Sequence, residues 1–149
     1  MINFNKSLAV IGFLLFLSLS SCSVEPQEIK YGNVHCHHCD MTVVDKSHAA
    51  EYVTKKGKAY FFDAAECLIM KLNDDKNEHE MAFILVSDIN NPGNLIDAVS
   101  ASFVVSEAIK SPMGANLASF NSQKTADDFS AKNGGIVYNW STIKSQLSK

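Results

Sequence analysis

The sequence predicts an α+β protein made of two small, similar β-rich modules, each with a short helix, arranged as a pseudo-repeat. Three observations lead there. Short runs rich in Val, Ile, Phe and Tyr alternate with Gly- and Asn-containing turns from residue 34 to residue 140. Helix-start signals stand where such runs end, at Asp63-Ala64-Ala65-Glu66 and Thr125-Ala126-Asp127-Asp128. The order of turn, strand and helix in residues 34–88 returns loosely in residues 100–149.

Taken in order, the chain begins with a targeting segment. Met1–Ser7 carries one charge, Lys6, and Leu8–Leu19 is an apolar run too short to span a bilayer and suited to a signal-peptide core. Leu19-Ser20-Ser21-Cys22 resembles a bacterial lipobox, so residues 1–21 are read as a lipoprotein signal peptide and Cys22 as the lipidated first residue of the mature chain. Several acyl chains on one residue give a stable membrane anchor in the cell envelope, facing the periplasm. Residues 22–33 are polar and aperiodic and read as a flexible tether.

The folded domain is expected over residues 34–149. Val34–Val44 is extended, and Ala49–Thr54 and Ala59–Phe62 are strands joined by the Lys55-Lys56-Gly57-Lys58 turn. Asp63 takes the N-cap role for a helix that ends before Asn73-Asp74-Asp75, and the nearly continuous apolar run Glu80–Ser87 is a central strand. Ser100–Ser106, Ala115–Asn121 and Ile136–Trp140 are the later strands, with a turn at Ser111-Pro112-Met113-Gly114. A helix capped at Thr125 stops at Asn133-Gly134-Gly135, and a last one begins at Ser141 and covers Thr142–Leu147. In the echo, Met41, Gly57 and Tyr60-Phe61-Phe62 correspond to Met113, Gly135 and Tyr138-Asn139-Trp140, which would bring Met41 and Met113 to one seam.

Charge narrows the partners. The formal net charge is −3 and becomes −4 when Lys6 leaves with the signal peptide; all 13 basic residues are Lys. An acidic chain without arginine is a poor partner for nucleic acid. No Gly-x-Ser-x-Gly, phosphate loop or His-Glu-x-x-His is present, and the chain is not read as an enzyme.

Chemistry concentrates in His35-Cys36-His37-His38-Cys39-Asp40-Met41. Thiolate and thioether select Cu(I), and thiolate with imidazole also suits Zn(II). Met41 tips the reading to Cu(I), with Cys39 as the anionic anchor, Cys36 beside it, and His38 or His35 able to complete the shell or orient a ligand. A thiol-disulfide oxidoreductase using Cys36 and Cys39, a structural disulfide and a zinc-binding structural lipoprotein stay open to the same residues. Cys67 reads as a buried structural thiol, and His48 and His79 as surface residues.

The lipobox at Cys22, Cys36-x-x-Cys39-x-Met41, Phe61-Phe62-Asp63, and Ser106 with Ser111-Pro112-Met113-Gly114 and Phe120 together resemble the NosL family. The resemblance implies binding of one Cu(I) outside the cytoplasm and its delivery to the ABC-transporter-linked machinery that assembles nitrous oxide reductase. Carried over by position, it implies Cys39, Met41 and Met113 as sulfur ligands. One position departs, since the family usually has Gly between the second Cys and Met where this chain has Asp40, which bears on the backbone freedom of that turn.

Overall fold

The computed structural model describes residues 23–148; the expected signal peptide and Cys22 lie outside the described residues. Two antiparallel sheets and three helices confirm the α+β class. The first sheet has strand order β2-β1-β3-β4, with β1 Ala50–Thr54, β2 Ala59–Phe62, β3 Met81–Ser87 and β4 Leu95–Asp97. The lysine-rich turn joins β1 to β2 as expected, with Gly57 at φ 82, where a Cβ would be strained. The second sheet has order β6-β5-β7, with β5 Ser102–Val105, β6 Leu117–Phe120 and β7 Ile136–Tyr138.

Helix α1, Ala65–Asp75, follows β2, and both of its ends differ from expectation. Its N-cap is Ala64, with no side-chain cap, so Asp63 sits one residue outside the helix and its carboxylate is free for other work. At the far end the helix continues through Asn73-Asp74-Asp75 and closes on Lys76 in a left-handed conformation, φ 53. The cause is tertiary. Asn73 Nδ2 donates to the Lys144 carbonyl at 3.0 Å and to Ser148 Oγ at 2.7 Å, holding the last turn against the end of the chain.

Helix α2, Gln123–Asn133, is capped by Ser122 rather than Thr125, because Ser122 Oγ accepts from Thr125 N at 3.3 Å. Gly134 ends it at φ 75, as expected. Trp140 opens helix α3, Trp140–Gln146, instead of closing the preceding strand. Asn139 and Thr142 form a reciprocal capping box there, and Trp140 Nε1 donates to Glu78 Oε1 at 2.8 Å.

The correspondence between halves read from the sequence is not reproduced. Met41 precedes β1, whereas Met113 lies between β5 and β6; Gly57 turns the first hairpin, whereas Gly135 follows α2. What recurs is element order: in each half the first strand lies between the second and third, and a helix links the second to the third. The halves also share a core. One cluster joins Phe62, Leu68 and Val86 to Phe103, Leu117 and Ile143. The other face of the second sheet buries Val104, Ala118 and Phe120 against Ala126 of α2, as the two-residue alternation of strands requires.

The N-terminal stretch is more firmly held than a flexible tether over 22–33 would be. Gln27 N donates to the buried Glu51 Oε1 at 2.8 Å, and Ile29 packs in the main core. Any tether is thereby shorter than residues 22–33, since Gln27 and Ile29 are held against the body and Val24 approaches Gly57.

Candidate metal centre

Residues 35–42 form a hairpin where a continuous extended segment was expected. His35 bridges Thr42, Cys36 N donates to the Met41 carbonyl at 2.8 Å, and Asp40 N donates to the Cys36 carbonyl at 3.0 Å. The loop His37–Asp40 closes because Asp40 adopts φ 64, the left-handed region that Asp tolerates better than most side chains. The position for which the resemblance expects Gly thus keeps the Gly-like conformation with Asp in place. His37 N donates to the Phe61 carbonyl at 2.8 Å and fastens the loop to β2.

That fastening sets the hairpin thiols against the junction of β2 and α1. One potential ligand atom from each of Cys36, Cys39, Asp63 and Cys67 lies within 4.8 Å of the others. Donors bound to one ion at about 2.3 Å would lie about 3.8 Å apart, so the cluster needs a contraction of roughly 1 Å. Cys36, Asp63 and Cys67 are buried and Cys39 is half-buried; all three thiols are free. The Cys39 thiol donates to Asp63 Oδ1 at 3.6 Å, while Asp63 Oδ2 is buried with no hydrogen-bond partner. An orphaned buried carboxylate oxygen costs about 1–3 kcal/mol or more, a cost that a bound cation would offset.

The three thiols are electrostatically distinct. Cys36 is lowered to about 6, first because the Cys67 thiol donates to its sulfur, with the N–H groups of Cys39 and Asp63 adding to the effect against burial. Cys67 is raised, chiefly because its proton is held by Cys36, and then by burial. Cys39 is raised by burial first. The sequence reading made Cys39 the anionic anchor; in the fold the hydrogen-bond donors converge on the Cys36 sulfur and favour its thiolate.

The structure brings the predicted residues together unevenly. Met41 is 48% exposed beside the loop, and its N–H points at the Cys39 sulfur. Met113 is 38% exposed in a turn closed by Gly114 N donating to the Ser111 carbonyl at 3.0 Å. Ser111 is buried near Glu66 in the first turn of α1, so the late turn reaches the same helix end as Cys67. His38 stands outside the four-donor group, lining a cavity with Met70, Asn73 and Leu147 along the flank of α1. His35 Nδ1 pairs with the Asp40 carbonyl at 3.1 Å, and the His37 ring lies 4.3 Å from that of Tyr60. Burial, then the Lys71 charge, lowers the His37 pKa.

Sequence reasoning missed Asp63, taken for a cap, and left Cys67 outside the site. The usable signal was their placement at a helix start immediately after the strand that the hairpin grips. His48, expected at the surface, is buried with Nδ1 2.9 Å from Asp45 Oδ2. Glu66 is fully buried, and neither of its oxygens has a hydrogen bond of normal geometry, although the Ser111 hydroxyl lies close enough to favour its charged form. Burial is the larger influence and raises its pKa.

Comparison with known proteins finds relatives named for copper binding. The copper-binding lipoprotein NosL of Stutzerimonas stutzeri is 30% identical over 154 residues, spanning 93% of this chain and 80% of that protein. The crystal structure of the copper chaperone NosL from Shewanella denitrificans superposes with a TM-score of 0.69 at 26% identity, covering 80% of this chain and 95% of that one. Among the described residues, no helix is long and apolar enough to cross a membrane. The family model of NosL matches residues 26–148. With nearly the whole described chain inside that match, and sulfur and carboxylate donors converging within it, the chain belongs to the NosL family.

Proposed function

We propose that this chain is an extracytoplasmic Cu(I) carrier, anchored through lipidated Cys22, that passes copper to the ABC-transporter-linked machinery assembling nitrous oxide reductase or a similar cuproenzyme. The observation that carries the reading is the convergence of three thiols, two buried and one half-buried, with Met41 exposed two residues beyond Cys39. Sulfur donors favour the monovalent ion. Cys36 supplies the resident thiolate and Cys39 the half-open one. Met41 and Met113 are the neutral arms that a partner's ligands displace without proton exchange. Copper is cargo here, and its release needs ligands that solvent and a partner can reach; the two methionines have that exposure.

Asp63 favours a second reading. Three thiolates and one carboxylate make a tetrahedral set that suits Zn(II). The redox reading loses support because Cys36-x-x-Cys39 lies in a hairpin loop and not at a helix N-terminus.

Anaerobic titration of the reduced chain against a chromophoric Cu(I) chelator separates these. The copper reading expects one tightly held Cu(I) whose affinity falls in Met41→Leu and Met113→Leu. Zinc uptake untouched by either substitution, with weak Cu(I) retention, would transfer the site to the second reading.

A further inference from the structure

The β1–β2 hairpin has a second end, and its chemistry is unlike that of the thiols. Lys55, Lys56 and Lys58 are all exposed in the turn, within a chain whose net charge is −3. Val24 reaches the same turn: a Cβ built on Gly57 would lie 3.9 Å from Val24 Cγ2. Cys22 is two residues further back, and two extended residues span at most roughly 7 Å. The route to the anchor therefore leaves the body at the lysine turn.

We propose that the Lys55–Lys58 turn rests on the anionic phospholipid headgroups of the anchoring membrane and fixes the orientation of the domain on it. This rests on the reading of Cys22 as the lipid-bearing residue. Reach is enforced by the short tether, and the sign of the charge then makes contact favourable. Two exposed acids oppose it: Glu25, next to Val24, and Glu80, whose carbonyl accepts from Lys55 N at 2.9 Å. The lysines outnumber them; Lys58 Nζ lies over the Tyr60 ring, 4.6 Å from its centroid, while the stems of Lys55 and Lys56 are long enough to turn their ammonium groups outward. The attraction operates within a Debye length of the surface, about 10 Å at 0.1 M salt.

The orientation has a geometric consequence. Asp63 and the thiols lie beyond the opposite end of β2, five residues from Lys58, which at about 3.3 Å per residue is roughly 15–17 Å. Copper is then presented on the side of the domain turned from the bilayer, where an aqueous partner can reach it.

Lysine footprinting on the lipidated chain tests this. The membrane-extracted protein, with acyl chains on the Cys22 peptide verified by mass spectrometry, is reconstituted in phosphatidylethanolamine–phosphatidylglycerol vesicles and separately in phosphatidylcholine vesicles. Both are labelled briefly with an N-hydroxysuccinimide ester. Acylation at Lys55, Lys56 and Lys58 is expected to be about threefold or more slower on the anionic vesicles, with Lys124 and Lys132 unchanged and the difference erased by 1 M salt. Equal rates on the two vesicle types, or slowing at Lys132 in place of the turn, would overturn the orientation while leaving the anchor intact. A Cys22 peptide without acyl chains would remove the lipoprotein reading itself, and the proposal with it.

Discussion

The junction between β2 and α1 and that between β6 and α2 are built on one plan and put to different ends. Each strand closes on a buried phenylalanine, Phe62 or Phe120, followed by Asp63 or Asn121 and then an N-cap residue. At the second junction the cap is Ser122, whose side chain accepts from Thr125 N. At the first the cap is Ala64, which has no oxygen to offer, and the acidic neighbour faces sulfur. A helix without a side-chain cap is a local loss of stability, and here it coincides with the place where the three described thiols meet. The difference teaches that the first junction lacks the helix-starting side chain that the second has, and sets an acid against sulfur in its place.

The comparison can be broken most forcefully at the thiols. Cys36→Ser should lower Cu(I) affinity by more than the roughly 10–100-fold expected for loss of an outer-shell partner, because it removes the sulfur whose thiolate the hydrogen-bond donors favour. Competition against a Cu(I) chelator reads this directly, and an unchanged affinity would place the ion elsewhere. Asp63→Asn, nearly isosteric, should cost about 10–100-fold in the same assay if the carboxylate orients or binds. Asn121→Asp at the sister junction should leave copper unaffected.

Stability measurements sharpen the contrast. Ser122→Ala should cost about 1 kcal/mol by denaturant unfolding, and Ala64→Ser should gain a similar amount if the new hydroxyl caps α1, neither changing copper stoichiometry. Glu66 gives a pH-dependent effect of comparable size. Its folded-state pKa is raised by burial, so its contribution to stability falls as pH climbs from the unfolded carboxyl value towards the folded one. Glu66→Gln should therefore stabilise the chain by an amount on the order of 1 kcal/mol at pH 7.5 and less at pH 4. An advantage that is larger at pH 4 would show the sign to be wrong. The smallest effect is expected from Asp40→Gly, which relieves the left-handed backbone at φ 64 while adding unfolded-state freedom, for a net change within about 1 kcal/mol.

Strands and turns were readable because their signals are local. Ala50–Thr54, Ala59–Phe62 and Met81–Ser87 fall close to where short apolar and aromatic runs and the turn at Gly57 place them. Helix ends were less so, since α1 is prolonged by Asn73 reaching residues more than 70 positions away, a bond no window of sequence contains. The same division runs through the site. Cys36 and Cys39 announce themselves by spacing. Asp63 matches a capping box so well that its local reading hid its tertiary one, and Cys67 looks like any apolar helix residue until the hairpin is docked beside it. Met113 was suggested through resemblance, and what ties its turn to the thiol end of α1 is the placement of Ser111 near Glu66.

Helix α1 spans the distance between two fixtures: Cys67 near its beginning and, near its end, Asn73 clasped by Lys144 and Ser148. A change that removes Ser148 or displaces Lys144 is therefore expected to loosen the far end of the helix that carries Cys67. Copper affinities of chains altered at Lys144 or Ser148 would then report on that support as well as on the thiols.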